Sequence, residues 1–109
     1  MRVALAISYE VIYSELMNHL LIFSGTECPH CEVMKPLLAK LSFETGLTPE
    51  IRDIWKSEKD ARLLENYRDE VIKTDPECDG IPFFYNTKTK QHLCGEVSYK
   101  QLKAWAIGE

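Results

Sequence analysis

The sequence has few cysteines and no long hydrophobic run. Four cysteines in 109 residues are too few for the disulfide scaffold of a small secreted domain. No apolar stretch approaches the roughly 20 residues that a membrane-spanning helix needs. The run from Val3 to Ile7 is followed by Ser8, Tyr9 and Glu10, so it is too short for a secretory signal peptide. We therefore favour a reducing compartment, either the cytoplasm or an organellar stroma or matrix.

The sequence also lacks an excess of basic residues. It has 13 Lys and Arg against 17 Asp and Glu, interspersed along the chain, and a net charge of −4. This balance gives no reason to expect nucleic acid or a membrane as a partner. There is no repeat, low-complexity tract or linker, so residues 1–109 are expected to form a single domain.

Short apolar runs predict the strands, and apolar residues that recur three and four apart predict the helices. The first strand is expected at 3–7, followed by a helix capped by Ser8; the rival interpretation is one helix from the start of the chain. Further strands are expected at 20–24, 50–55, 83–85 and 91–94, and further helices at 29–42, at 57–72 and after a capping box formed by Ser98 and Gln101.

The order β-α-β-α-β-α-β-β-α predicts an α/β fold. Alternating strands and helices favour a parallel sheet with crossover helices. The closing hairpin adds antiparallel strands. We therefore expect a central mixed sheet with helices on both faces.

The core is expected to include the apolar face of the 29–42 helix and most of the large aromatic residues. A kink is expected within that helix at Pro36, which lacks a backbone N–H. The residues predicted to be buried are Val33, Met34, Leu37, Leu38, Leu41, Trp55, 83–85 and Trp105.

The motif Cys28-Pro29-His30-Cys31 follows a predicted strand and opens a predicted helix. At that junction the first thiol meets unpaired backbone N–H groups and the positive end of the helix dipole, which both favour the thiolate. The second thiol lies one helical turn further on. These features favour a redox pair, with Cys28 the more exposed and more acidic thiol, over a zinc half-site or a structural pair.

Over nearly its whole length the chain resembles thioredoxin-like proteins. The motif at Cys28 to Cys31, a proline five residues later at Pro36, and Gly80-Ile81-Pro82 before a strand carry the resemblance. It implies a thioredoxin fold in which Cys28 is the nucleophile and Cys31 the resolving thiol. It also implies a cis bond before Pro82, which presents the Ile81 backbone to an extended substrate.

The segment Cys94-Gly95-Glu96 resembles the end of the last thioredoxin strand, which places Gly95 at the border of the active face. Two positions differ from thioredoxin. Glu27 stands where thioredoxins usually have tryptophan, and Ile22 stands where they have a buried acid.

Three residues around the two cysteines are expected to tune their chemistry: Glu27, Pro29 and His30. The strongly oxidising bacterial enzyme DsbA has the same Pro-His dipeptide. An imidazole near Cys28 stabilises the thiolate, which stabilises the reduced form and raises the reduction potential. The Glu27 carboxylate acts in the opposite direction.

The other cysteines, Cys78 and Cys94, are interpreted first as ordinary thiols. A mutual disulfide or exchange with the first pair is one alternative. A zinc or iron–sulfur site formed together with Cys28 and Cys31 is another. His19 and His92 are interpreted as structural or exposed residues, and no metal ligand is assigned.

The sequence therefore predicts a thiol–disulfide oxidoreductase that needs no organic cofactor. Its expected partners are protein or small-molecule disulfides and a reductase or glutathione as electron donor, and we expect a monomer. The alternatives are a glutathione-dependent glutaredoxin activity and a thioredoxin-like adaptor or metal-binding module.

Overall fold

The computed structural model describes residues 18–109. The strand predicted at 3–7 and the helix predicted after Ser8 lie outside these residues. Within residues 18–109, no helix is both long and apolar enough to cross a membrane.

In the described part of the chain, four strands form one mixed sheet. In space their order is β2-β1-β3-β4, with β1 parallel to β2 and the other neighbours antiparallel. The strands are β1 (Leu20–Ser24), β2 (Glu50–Asp53), β3 (Phe83–Asn86) and β4 (His92–Cys94). The mixed sheet and the closing hairpin were predicted, and both are confirmed.

Strand β2 was predicted to end at Trp55, but it ends two residues earlier, at Asp53. The side chain of Asp53 accepts hydrogen bonds from the backbone N–H groups of Trp55 and Lys56, at 2.9 and 3.2 Å. Such a local bond turns the chain out of the extended conformation. The aspartate therefore closes the strand with a turn.

Three helices follow the predicted pattern, and each begins at a side chain that caps it. They are α1 (Pro29–Thr45), α2 (Glu58–Val71) and α3 (Tyr99–Ile107), with Cys28, Ser57 and Ser98 as their N-caps. The capping box of Ser98 and Gln101 is confirmed. Helix α1 continues through Pro36 and ends before Gly46, which has a φ of 75°. A kink at Pro36 stays a prediction.

The two faces of the sheet carry separate apolar cores, because successive residues of a strand point to opposite faces. Leu20 and Ile22 of β1 pack on one side with α1 and α3, and Leu21 and Phe23 pack on the other with α2. The prediction of helices on both faces is confirmed.

Two of the predicted core residues lie at the surface. Val33 is 52 % exposed, because it lies about 100° around α1 from the buried Met34. Trp55 is 56 % exposed, because it lies in the turn after β2 rather than in the strand. The predictions of burial for these two residues were therefore wrong.

A buried asparagine joins the hairpin to the last helix. Asn86, 1 % exposed, donates from Nδ2 to the Trp105 carbonyl at 3.0 Å. Its Oδ1 accepts from the backbone N–H groups of Lys88 and Thr89 at 3.0 and 3.2 Å. One side chain therefore orders the turn after β3 and holds it against α3.

We expect Asn86→Ala to lower the free energy of unfolding by about 2–3 kcal/mol, because it leaves buried backbone groups without partners. Urea unfolding monitored by circular dichroism measures this loss. Exposed Lys88 lies two residues away, and Lys88→Ala should change stability by no more than about 0.5 kcal/mol. An equal effect of the two substitutions would contradict the role of Asn86.

Candidate functional site: the Cys28–Cys31 pair

The first cysteine pair lies where β1 passes into α1. Cys28 and Cys31 are joined by a disulfide, with their Cα atoms 5.2 Å apart. Cys28 is the N-cap of α1, and its Sγ accepts a hydrogen bond from the Cys31 backbone N–H at 3.2 Å. An N–H donor and the helix dipole therefore act on the Cys28 sulfur, as the motif predicts.

The expected difference in exposure between the two thiols is wrong for this disulfide form. Cys28 is 4 % exposed and Cys31 is 8 % exposed. The covalent bond and the residues around it cover both sulfurs. The distinction between the two cysteines therefore comes from the hydrogen bond at Cys28 and not from accessibility.

The segment Ile81–Pro82 lies beside the pair. The Ile81–Pro82 peptide bond is cis. The Cys28 Sγ lies 3.9 Å from the Ile81 carbonyl oxygen. Ile81 is half-buried and Pro82 is buried, so the main chain of Ile81 borders the disulfide.

Gly95 joins this segment from the end of β4. Its backbone N–H donates to the Pro82 carbonyl at 2.8 Å, and its φ is 75°, a conformation that favours glycine. The fold thus brings together Cys28, Ile81, Pro82 and Gly95, which are far apart in the sequence.

The three predicted tuning residues, Glu27, Pro29 and His30, lie on the exposed rim of the pair. His30 Nδ1 contacts Glu96 Oε2, and both side chains are well exposed. Glu96 lies in the segment after β4, and no role was predicted for it from the sequence. The sequence signal that could have pointed to Glu96 was its place in this segment, because the segment was expected to border the active face.

A small cavity of about 140 Å³ lies next to Cys31. Ile22 and Pro82 line it, and so does Lys35, which pairs with Glu32 at 2.8 Å. The buried Ile22 fills the position where thioredoxins have an acid, and within residues 18–109 no carboxylate lines this cavity. The carboxylates of Glu32 and Asp53 line a second pocket that Cys31 also borders.

The second pair, Cys78 and Cys94, forms its own disulfide. The first interpretation, two ordinary thiols, was therefore wrong, and the alternative of a mutual disulfide is correct. The two cysteines lie with Asp75 and His92, without Cys28 or Cys31. Within residues 18–109 the structure therefore forms no single site from all four cysteines.

The turn after β2 supports the loop that carries the first pair. The Trp55 ring covers Gly25, so closely that a Cβ at Gly25 would lie 2.6 Å from Trp55 Cδ2. Thr26 donates to Asp53 at 2.5 Å, and this hydrogen bond is the main reason that the pKa of Asp53 is lowered. The Cys28 N–H in turn donates to the Gly25 carbonyl at 3.2 Å.

A mixed sheet with helices on both faces, and a cysteine pair at the N-terminus of the helix that follows β1, define the thioredoxin fold. Residues 19–106 match the family model described as Glutaredoxin-like domain (DUF836), and the chain belongs to this family. A comparison with curated proteins gave no match.

We expect Gly25→Ala to lower the free energy of unfolding by about 1–3 kcal/mol, because the new methyl group would overlap the Trp55 ring. In a Trp55→Ala background the same substitution should cost nothing or stabilise by about 0.4–1 kcal/mol, since it then only restricts the unfolded chain. Urea unfolding of the four proteins measures both effects.

Gly80 provides a matched control, because a Cβ there would have no neighbour within 4 Å. Gly80→Ala should therefore leave stability unchanged or raise it by about 0.4–1 kcal/mol, since it too only restricts the unfolded chain. If Gly25→Ala lowered the free energy of unfolding equally with and without the Trp55 ring, the ring would not support this loop.

Proposed function

We propose that the protein is a thiol–disulfide oxidoreductase in which Cys28 attacks and Cys31 resolves. The observation that carries the proposal is the hydrogen bond from the Cys31 N–H to the Cys28 sulfur at the start of α1. The same contact stabilises a thiolate once the disulfide is reduced, and the thiolate is the nucleophile in disulfide exchange.

In the forward reaction the Cys28 thiolate attacks one sulfur of a substrate disulfide. The substrate S–S bond breaks, its other sulfur leaves as a thiolate, and a mixed disulfide with Cys28 remains. Cys31 then attacks the Cys28 sulfur, which releases the second substrate thiolate and forms the Cys28–Cys31 disulfide. Two electrons pass from the pair to the substrate, and the leaving thiolates take protons from solvent.

The substrate is an extended segment that carries a disulfide or a mixed disulfide. It lies along the Ile81 main chain, whose carbonyl is 3.9 Å from the Cys28 sulfur. Gly95 borders this surface, and the buried Pro82 supports it from below, since the Gly95 N–H donates to the Pro82 carbonyl at 2.8 Å. Because main-chain pairing reads little side-chain identity, we expect broad substrate recognition.

Glutathione is the electron donor that we favour over a dedicated reductase. The support is the family itself, a glutaredoxin-like domain. One glutathione thiolate opens the Cys28–Cys31 disulfide and forms a mixed disulfide. A second glutathione releases oxidised glutathione and regenerates the dithiol. This chemistry needs no organic cofactor and no second copy of the chain.

We expect Cys28→Ser to abolish reduction of a glutathionylated peptide by glutathione, and Cys31→Ser to retain it. The reason is that a mixed disulfide with glutathione needs one attacking thiol, since a second glutathione can resolve it. Reduction of insulin by dithiothreitol should need both cysteines. Product formation is followed by mass spectrometry, with glutathione alone as the background.

Alkylation of the reduced protein near neutral pH provides a second measurement, and it should label Cys28 before Cys31. Retained activity in Cys28→Ser would overturn the assignment of the nucleophile. A wild-type protein that keeps both thiols reduced but shows no turnover on either substrate would favour an adaptor module instead.

The exposed rim tunes the direction of the reaction. A protonated His30 near Cys28 favours the reduced form, and the Glu96 carboxylate that contacts it offsets this positive charge. We expect His30→Gly to lower the reduction potential and Glu96→Gln to raise it. Each shift should be at most about 20 mV, because an exposed charge pair contributes up to about 1 kcal/mol.

The potentials are measured by equilibration with a glutathione redox buffer. In a His30→Gly background, Glu96→Gln should shift the potential less. Equal shifts in both backgrounds would show that Glu96 acts on Cys28 without His30. An unchanged potential in His30→Gly would make His30 a bystander.

A further inference from the structure

The second cysteine pair lies in a cluster of four side chains that offer metal ligands. We propose that, once the Cys78–Cys94 disulfide is reduced, this cluster binds one zinc ion. The cluster, named here the Asp75 cluster, consists of Asp75, Cys78, His92 and Cys94.

The geometry suits a single ion. One ligand atom from each residue of the Asp75 cluster lies within 4.8 Å of all the others. His92 Nε2 is 3.0 Å from Asp75 Oδ2, and Cys94 Sγ is 3.9 Å from the same oxygen. Ligands around tetrahedral zinc, at about 2.0–2.3 Å from the metal, are about 3.3–3.8 Å apart. Small side-chain movements therefore complete the coordination shell.

Secondary structure holds each ligand in place. Cys94 and His92 both belong to β4, two residues apart, so their side chains leave the same face of the sheet. Asp75 and Cys78 are joined by a turn in which the Cys78 N–H donates to the Asp75 carbonyl at 3.1 Å. The His92 ring stacks on Phe83, with centroids 6.3 Å apart, and its Nε2 faces Asp75.

The chemistry of the ligand atoms selects zinc. Two thiolates and an imidazole are soft or borderline ligands, which suit zinc and not magnesium or calcium. Cys78 is 1 % exposed, whereas the Asp75 side chain is 43 % exposed, so the carboxylate lies on the solvent side. No ligand role was predicted for His92, because nothing in a single sequence brings it next to Asp75.

Zinc and the disulfide are alternative links between the same two sulfurs. Two thiols of a reductant such as glutathione transfer two electrons and two protons to the Cys78–Cys94 bond and leave as their own disulfide. Zinc then displaces both thiol protons into solvent and binds the two thiolates. Each link closes the chain between Cys78 and Cys94, which includes Ile81 and Pro82.

Cobalt binding tests the site in a full-length Cys28→Ser, Cys31→Ser background, which removes the first pair as a competing ligand. The protein is reduced anaerobically with an excess phosphine, which is oxidised to its oxide. One cobalt ion per chain should bind, with sulfur-to-cobalt charge transfer and the strong visible bands of tetrahedral cobalt. Zinc should displace it and raise the melting temperature of the reduced protein.

Matched variants separate the ligands from their neighbours. Removing even an outer-shell partner typically weakens metal binding about 10- to 100-fold, so His92→Ala should weaken zinc binding at least that much in competition with a chromophoric chelator. Asp75→Asn should weaken it too, whereas Asp79→Asn, at an exposed neighbouring carboxylate, should not. Circular dichroism checks that each variant is folded.

Three results would overturn the proposal. They are the absence of tetrahedral cobalt bands in the reduced background protein, zinc binding that survives Cys78→Ser with Cys94→Ser, and equal effects of Asp75→Asn and Asp79→Asn. Because the background lacks Cys28 and Cys31, none of these results depends on the oxidoreductase activity.

Discussion

The pairing of β1 with β3 is the constraint on which the site depends. β1 is buried on both faces, and its Phe23 lies opposite Phe83 in the antiparallel register. One end of this ladder therefore places the start of α1, with Cys28, beside the residues that precede β3. Those residues are Ile81 and Pro82, so the sulfur proposed to attack and the surface proposed for substrate meet without a direct bond between their side chains. A shift of register by one residue would exchange the two faces of β1 and so disrupt the packing of both cores.

The electrostatics of the pair combine one short-range contact with several screened charges. The N–H at 3.2 Å acts directly on the Cys28 sulfur and is shielded from water, since both cysteines are almost fully covered. Glu27, His30 and Glu96 lie on the exposed rim, where solvent weakens each charge. In the proposed mechanism the helix terminus is therefore the main stabiliser of the thiolate, and the rim makes smaller adjustments. A substrate that covers the rim would exclude water and so strengthen the electrostatic interaction of these charges with the Cys28 sulfur.

Local sequence predicts most of the fold but only part of the site. The box of Ser98 and Gln101 and the apolar run of β1 signal their structures within a few residues, and the structure agrees. The positions of Glu96, Trp55 and Cys94 depend instead on which strands become neighbours, which no local pattern contains. Trp55 illustrates the difference, because its size predicts burial while the Asp53 turn carries it to the surface over Gly25. The resemblance to thioredoxins supplied the Ile81–Pro82 segment, which composition and periodicity alone do not mark.

The two cysteine pairs contact the same segment of the chain at different points. Cys28 meets it at the Ile81 carbonyl, and Cys78 begins it three residues earlier. The Cys78–Cys94 link fixes the start of the segment to β4, and the Gly95 N–H next to that link holds the Pro82 carbonyl. In the chain-entropy account, a disulfide that closes a loop of this length raises the free energy of the unfolded chain by about 3 kcal/mol. The second pair therefore stabilises the surface proposed for substrate beside the first pair, and reduction of the second pair without a replacement link would loosen that surface.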